Sequence, residues 1–147
     1  LRSFTSVGFV GCIPGAPGTY GSLVTLPLAY LWSTYITNNP FFTLGLIILI
    51  TGLGVIASSK VEAVIGIEDP GEIVIDELAG QWIALLAIPP YWGYWLGAFI
   101  LFRIFDIWKP WLIDRVQHLP GGWGIMMDDV FAGLLAFLLI QGTAFLL

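Results

Sequence analysis

Hydrophobic positions in this chain fall into five long, nearly uncharged stretches. They are Leu23–Ile36, Phe41–Ala57, Ile73–Ile88, Tyr91–Phe105 and Gly124–Leu147. Segments that are apolar on every side are typical of membrane spans. Asn and Pro punctuate Thr37–Pro40 and Ile88–Tyr91, which predicts turns at these two places. The pattern predicts an all-α bundle of about five short helices.

Composition decides whether water or lipid surrounds this bundle. Of the 147 residues, 58% are hydrophobic and 10% are charged, and the mean hydropathy is +0.92. Soluble domains average about 25% charged residues, so too few polar side chains are present to cover the outside. Most stretches are shorter than the roughly 20 residues that cross a bilayer, which implies thinning or partial crossing. We expect a polytopic integral-membrane protein with one domain over residues 1–147.

The basic residues follow the topology that this bundle implies. They are Arg2, Lys60, Arg103, Lys109 and Arg115. If all five stretches cross, these residues share one side of the membrane, which the positive-inside bias makes cytoplasmic. Aromatic residues cluster in the opposite connections, as expected for an interfacial belt. The net charge of −5 argues against nucleic acid as a partner.

All ten acidic residues map to the same cytoplasmic half, although the positive-inside bias does not require this. Asp76 and Glu77 lie inside the third stretch, about one turn from its predicted cytoplasmic end. A carboxylate beside lipid is costly unless it faces a polar interior, which favours a functional role. Gly80 would let another backbone approach this face. The alternative is that the two acids only complement a helix dipole.

A second polar cluster ends the fourth stretch. Arg103, Asp106 and Lys109 follow one another at i+3 spacing and form one stripe on an apolar helix. Two cations beside a carboxylate can neutralise it and still donate to a phosphate. Snorkelling of the basic side chains to the headgroups is the alternative. Pro110 then breaks the chain, and Trp111–Leu119 is typical of a short amphipathic helix at the membrane surface.

Two glycine-rich segments each lead into a helix. Gly121–Gly133 carries Asp128 and Asp129, which point about 100° apart on a helix, so one can bind an ion while the other holds a ligand or a cap. Gly11–Leu23 offers backbone N–H groups with the hydroxyls of Thr19 and Ser22, a pattern that suits an anion cradle but not a nucleotide-binding loop. The alternative for Gly121–Gly133 is an acidic first turn of a helix without a ligand, and the alternative for Gly11–Leu23 is a turn followed by a helix N-cap.

Three carboxylate clusters at one depth, with cations beside them, predict a site for a hard metal ion and an anion. Mg²⁺ prefers oxygen ligands and is commonly held by a few carboxylates together with substrate phosphate. Thiolate and imidazole sites are excluded by number, because Cys12 and His118 are the only residues of their kinds.

Four segments in the same order resemble the phosphatidylglycerophosphatase A family. They are Pro14–Leu23, Ile75–Gly80, Phe102–Trp111 and Gly124–Gly133, which together extend over most of the chain. The resemblance implies a bacterial inner-membrane enzyme whose active site faces the cytoplasm. It also implies that the enzyme uses Mg²⁺ to remove the terminal phosphate of the phospholipid phosphatidylglycerophosphate.

Carried onto this chain, the family motifs nominate nine residues. They are Thr19, Ser22, Asp76, Glu77, Arg103, Asp106, Lys109, Asp128 and Asp129. We assign four acids to one or two Mg²⁺ ions, namely Asp76, Glu77, Asp128 and Asp129. Arg103 and Lys109 are assigned to the phosphate together with the two hydroxyls, and Asp106 to orientation or proton transfer. Both water attack and an aspartyl-phosphate intermediate stay open.

Two other functions fit part of the pattern. A small ion or solute transporter would also carry intramembrane carboxylates, but it requires polar residues near the far side, where almost none occur. A lipid-binding scaffold explains the aromatic belt but not three acidic clusters at one depth.

Overall fold

The computed structural model describes residues 1–89 and 91–146. Within these residues it has seven α-helices, one 3-10 helix at Val10–Cys12 and no strand. The α-helices are α1 (Arg2–Thr5), α2 (Pro17–Tyr35), α3 (Pro40–Ile65), α4 (Ile75–Ala84), α5 (Trp92–Trp108), α6 (Leu112–Val116) and α7 (Gly122–Leu146). The predicted all-α fold is confirmed.

Each predicted apolar stretch corresponds to one helix, namely α2, α3, α4, α5 or α7. The predicted surface helix is α6, which is shorter than Trp111–Leu119. It buries Ile113, and the guanidinium of Arg115 lies 5.5 Å from the centre of the Trp111 ring. Pro90 in the second predicted turn and Leu147 at the end of the last stretch lie outside the described residues.

Proline and asparagine set the helix starts. Helix α2 begins at Pro17, six residues before the predicted stretch, because the fixed φ of proline suits the first helical position. At the start of α3, Asn39 Oδ1 accepts a hydrogen bond from the Phe41 N–H at 2.9 Å. Gly66 ends α3 with a φ of 75°, a left-handed conformation that glycine adopts without strain.

Helix α4 forms the centre of the bundle. Nine of its ten residues are buried, and it packs against α2, α3 and α7. Ten residues extend only about 15 Å, half of what a bilayer crossing requires. The third apolar stretch therefore forms a buried core helix and not a full span.

Helices α3 and α7 are long and apolar enough to cross a membrane. Only 33% of the most apolar window of α3 is buried inside the bundle, so most of its surface faces outward. A core helix of a water-soluble protein would bury most of this surface. Tyr35 and Phe41 are exposed near the ends of α2 and α3 that lie away from the acidic residues, where the aromatic belt is expected.

Two glycines allow α4 and α7 to pack backbone against backbone. A Cβ atom on Gly80 would lie 2.5 Å from the carbonyl oxygen of Asp129, and a Cβ atom on Gly133 would collide with the carbonyl of Gly80. The predicted close approach at Gly80 is confirmed. Because Gly80 and Gly133 each lie one turn beyond acidic residues, this crossing brings Asp76 and Glu77 next to Asp129.

Candidate active site

A cavity of about 250 Å³ lies where the starts of α2, α4 and α7 meet the end of α5. Its wall is formed by Ala16, Pro17, Gly18, Asp69, Gly71, Ile73, Asp76, Glu77, Arg103, Asp106, Lys109, Asp128 and Asp129. Seven of the nine residues nominated from the sequence are among them. The segments that carry these seven are far apart in the chain, and the helix packing brings them to one place.

Three carboxylates converge in this cavity. Asp76, Glu77 and Asp129 each place an oxygen within 4.8 Å of an oxygen of the other two. Asp76 and Asp129 are 7% and 2% exposed. Each of the three also has a buried carboxylate oxygen with no hydrogen-bond partner among the described residues. A buried carboxylate oxygen without a hydrogen-bond donor is energetically costly. The three carboxylates are therefore suited to a positively charged ligand that neutralises them.

The two cations of the cavity are already paired with the other acids. Arg103 donates to Asp106 at 2.5 Å, and Lys109 donates to Asp128 at 2.5 Å. The adjacent acids on α7 therefore diverge: Asp129 joins the three-carboxylate group, whereas Asp128 contacts Lys109. This divergence agrees with the 100° rotation between successive helical residues.

The motif after α5 positions the lysine. Lys109 ends the helix in a left-handed conformation with a φ of 47°. A non-glycine residue in this region is strained, and such strain persists where surrounding contacts hold it. Burial lowers the pKa of Lys109, but the hydrogen bond and the charge of Asp128 outweigh it, so the pKa is raised and the side chain stays cationic.

The charges in the cavity do not balance. Six carboxylates face two cations, which leaves a large negative excess when all are ionised. Charges that are taken out of water are costly unless they are paired, so a bound cation would stabilise the ionised form of these acids. An all-oxygen donor set of three carboxylates fits Mg²⁺ or a similar hard divalent ion.

The glycine-rich start of α2 also borders the cavity, but through its backbone. Ala16, Pro17 and Gly18 line the wall. The Ser22 hydroxyl instead donates to the Gly18 carbonyl at 2.9 Å within the helix, and Thr19 is not part of the wall. The first N–H groups of a helix have no partners within the helix, so this end can bind an anion. The hydroxyls assigned to phosphate from the sequence thus lie beside the cavity and not in its wall.

Asp69 is a wall residue that the sequence-based assignment missed. It lies in the loop between α3 and α4 with a φ of 46°, and it borders both this cavity and a neighbouring one of about 460 Å³. Although Asp69 is exposed at the surface, the surrounding protein desolvates its carboxyl and raises its pKa, and Lys109 opposes this effect. An acid in a Glu-Asp-Pro-Gly turn was the available signal.

Comparison with known proteins identifies the family. The model of the family described as phosphatidylglycerophosphatase A matches residues 3–144. A phosphatidylglycerophosphatase A of Escherichia coli strain K12 is 41% identical, over 89% of this chain and 76% of its own length. The protein of the same name from Haemophilus influenzae is 39% identical, over 92% of this chain and 83% of its own length.

A third relative carries a different name. It is a Bacteroides thetaiotaomicron protein, provisionally named phosphatidylinositol-3-phosphatase, that is 43% identical over 88% of this chain and 84% of its own length. No solved structure matches the chain. With the family match extending over nearly all residues, the chain belongs to the phosphatidylglycerophosphatase A family and with it to the phosphoric monoester hydrolases.

Proposed function

We propose that this protein hydrolyses the terminal phosphate monoester of phosphatidylglycerophosphate, releasing phosphatidylglycerol and phosphate, with Mg²⁺ as cofactor. The family assignment supports the reaction class. One observation carries the proposal: the carboxylates of Asp76, Glu77 and Asp129 lie close together, and each has a buried oxygen without a hydrogen-bond partner among the described residues.

These three carboxylates would hold the metal ion. Bound there, Mg²⁺ would supply positive charge to the phosphoryl oxygens and lower the pKa of an attacking water. Asp128 lies next to Asp129 on α7, but its oxygen Oδ2 bonds Lys109. We therefore assign Asp128 to orienting the Lys109 side chain. Asp128 would become a ligand of a second ion only if the Lys109 ammonium moved away from it to bind the substrate phosphate.

The phosphate is bound in the same cavity, next to the metal ion. Arg103 and Lys109 are the two cations in its wall, and the first turn of α2 faces the same space. A guanidinium offers a planar fork to two phosphate oxygens, whereas an ammonium acts as a point charge. Asp106, which accepts the hydrogen bond from Arg103, keeps the fork in place and is the acid best placed to exchange a proton.

Two routes of phosphoryl transfer fit this arrangement. In the first, a water attacks in line, and in the second, one of the buried carboxylates takes up the phosphoryl group before water releases it. Rapid quenching during turnover, followed by tests for an acid-stable, base-labile phosphoprotein, separates them. A trapped carboxyl phosphate establishes the second route, and its absence during steady turnover favours the first.

We also propose that the protein lies in the bacterial inner membrane as a multi-pass protein, with the cavity at the cytoplasmic face. Two long apolar helices, α3 and α7, support membrane insertion. Arg2, Lys60 and Arg115 lie in segments near the same end of the bundle as the cavity, which the positive-inside bias assigns to the cytoplasm. Accessibility of cysteines introduced at Asp114 and Tyr91 to a membrane-impermeant thiol reagent tests this orientation.

Phosphate release from the purified enzyme in detergent tests the proposed reaction. We expect turnover of phosphatidylglycerophosphate that EDTA abolishes and added Mg²⁺ restores. Turnover that is unaffected by chelation would refute the metal assignment, and no turnover of this lipid would refute the substrate.

A second substrate is favoured by one relative. The Bacteroides thetaiotaomicron protein is named for phosphatidylinositol 3-phosphate, which also carries a phosphate monoester on a lipid headgroup. Measuring kcat/KM for both lipids under the same conditions decides between them. A higher value for the inositol lipid would replace our substrate assignment while leaving the metal site untouched.

A further inference from the structure

An apolar groove of about 310 Å³ lies between α2 and α5. Its wall consists of Leu23, Leu26, Pro27, Tyr30, Trp92 and Trp95. Five of these side chains are apolar or indole groups, and the Tyr30 and Trp95 rings pack edge to face with their centres 6.4 Å apart. The groove thus offers a hydrocarbon-like surface on the outside of the bundle.

The same two helices also border the candidate catalytic cavity. At the cavity, a Cβ atom on Gly18 of α2 would lie 3.2 Å from the Arg103 guanidinium of α5. The groove begins at Leu23, five residues further along α2, and extends to Tyr30, twelve residues beyond Gly18. At 1.5 Å per residue, the groove covers depths of about 8 to 18 Å from the phosphate-binding end.

These depths match one leaflet of a bilayer, whose hydrocarbon layer is about 15 Å thick on each side of the midplane. A lipid with its phosphate monoester in the cavity beside Gly18 and Arg103 would direct its acyl chains along α2 and α5 toward Tyr30 and Trp92. We propose that the groove between α2 and α5 binds an acyl chain of the phosphate-bearing lipid substrate. This inference rests on the proposed function, because it takes the catalytic cavity as the site of the headgroup.

One polar atom fits this role. Trp95 is 6% exposed, and its indole N–H has no hydrogen-bond partner among the described residues. Eight residues, or about 12 Å of helix, separate it from Arg103. In a diacyl lipid, the ester carbonyls lie between the headgroup and the chains, and an indole N–H is the kind of donor that they accept.

A second apolar groove, of about 430 Å³, lies between α3 and α7. None of the described residues of α3 contributes to the wall of the catalytic cavity. Of the two helices that form this second groove, only α7 borders the cavity, through Asp128 and Asp129, whereas α2 and α5 both border it. This contrast favours the groove between α2 and α5 as the acyl site.

Filling the groove tests the proposal. Leu23 is 43% exposed, so Leu23→Trp adds bulk to the groove without opening the core, and Leu28→Trp, at a 37% exposed position of α2 outside the groove, is the matched control. Each variant is assayed with dioleoyl phosphatidylglycerophosphate in detergent and with its deacylated, water-soluble backbone. We expect Leu23→Trp to lower kcat/KM for the acylated substrate about tenfold or more, because the chain can no longer place the headgroup.

For the deacylated substrate, we expect Leu23→Trp to match the wild type, and Leu28→Trp should match it for both substrates. Equal loss of kcat/KM on both substrates, or no loss on either, would overturn the proposal.

Photolabelling gives a direct measurement beside the kinetics. A substrate lipid that carries a diazirine on one acyl chain is bound to the wild-type enzyme in the presence of EDTA, and the complex is irradiated. We expect labelled peptides from Pro17–Tyr35 and Trp92–Trp108, and labelling confined to α3 and α7 would overturn the proposal.

The labelling also separates this proposal from the substrate assignment. If wild-type enzyme hydrolyses phosphatidylinositol 3-phosphate and not phosphatidylglycerophosphate, the headgroup assignment fails. A diazirine version of the inositol lipid that labels α2 and α5 would then still support the groove.

Discussion

Replacing Gly133 with Ala tests how the helix crossing builds the metal site. An added Cβ atom would collide with the carbonyl of Gly80 and lie 2.9 Å from its carbonyl carbon and 3.0 Å from its Cα. These atoms belong to the backbone of α4, so no side-chain rotation relieves the collision. Carbon atoms in ordinary contact lie about 3.5–4.0 Å apart, and the two helices must therefore separate by up to about 1 Å.

This separation acts directly on the three carboxylates, because Asp129 lies one turn before Gly133 and Glu77 one turn before Gly80. Mg²⁺ requires oxygens at about 2 Å in nearly ideal octahedral geometry, so a shift of this size weakens binding. Misplacement by about 1 Å can cost about a hundredfold in rate. We expect kcat/KM to fall about a hundredfold and the Mg²⁺ concentration for half-maximal activity to rise, while overpacking costs about 1–3 kcal/mol of stability.

The control is Gly142→Ala on the same helix, where a Cβ atom meets nothing within 4 Å. Both variants are assayed by phosphate release over a Mg²⁺ titration in detergent, and gel filtration checks that each remains folded. Wild-type activity and wild-type Mg²⁺ dependence in Gly133→Ala would refute the role assigned to the crossing.

Three further substitutions test individual residues of the cavity by phosphate release. Asp129→Asn should abolish turnover, because one of the three proposed metal-binding carboxylates is lost, whereas Asp114→Asn at an exposed position should have no effect. Near-normal turnover of Asp129→Asn would disprove its assignment. Arg103→Lys should lower kcat/KM at least about tenfold, since a point charge does not replace a bidentate fork, and an unchanged value would remove Arg103 from phosphate binding. Gly18→Ala should reduce turnover by displacing the Glu77 carboxylate. Gly45→Ala, on α3 outside the cavity, should not, because its Cβ atom meets nothing within 4 Å; equal effects would contradict this explanation.

The positions of the long helices could be predicted from hydrophobicity alone, because five long apolar stretches must be shielded from water by lipid or by the protein core. The same pattern did not distinguish these two environments. Ile73–Ile88 resembles a short span, yet its helix ends at Ala84 and is buried on nearly every side. Hydrophobicity measures the avoidance of water and does not reveal whether protein or lipid replaces it. Helix α1, with only four residues, gave no periodic signal.

Within the site, the gathering of the acids followed from their shared depth, and the approach at Gly80 followed from its spacing after Glu77. The partners of individual side chains did not follow. Asp128 and Asp129 have the same side chain, so the sequence does not distinguish them. The angle between successive residues on α7 directs Asp128 to Lys109 and Asp129 to Asp76 and Glu77. Ser22 was assigned to phosphate because its hydroxyl lies in a glycine-rich segment, but that hydroxyl bonds the preceding helical turn.

Direct measurement of metal binding tests the central claim that α4 and α7 together hold a divalent ion. Mn²⁺, a spectroscopic substitute for Mg²⁺, is titrated into purified protein, and the free ion is followed by electron paramagnetic resonance. We predict saturable binding to the wild type and its loss in a variant that combines Asp76→Asn, Glu77→Gln and Asp129→Asn. Equal Mn²⁺ binding by this variant and the wild type would contradict the account.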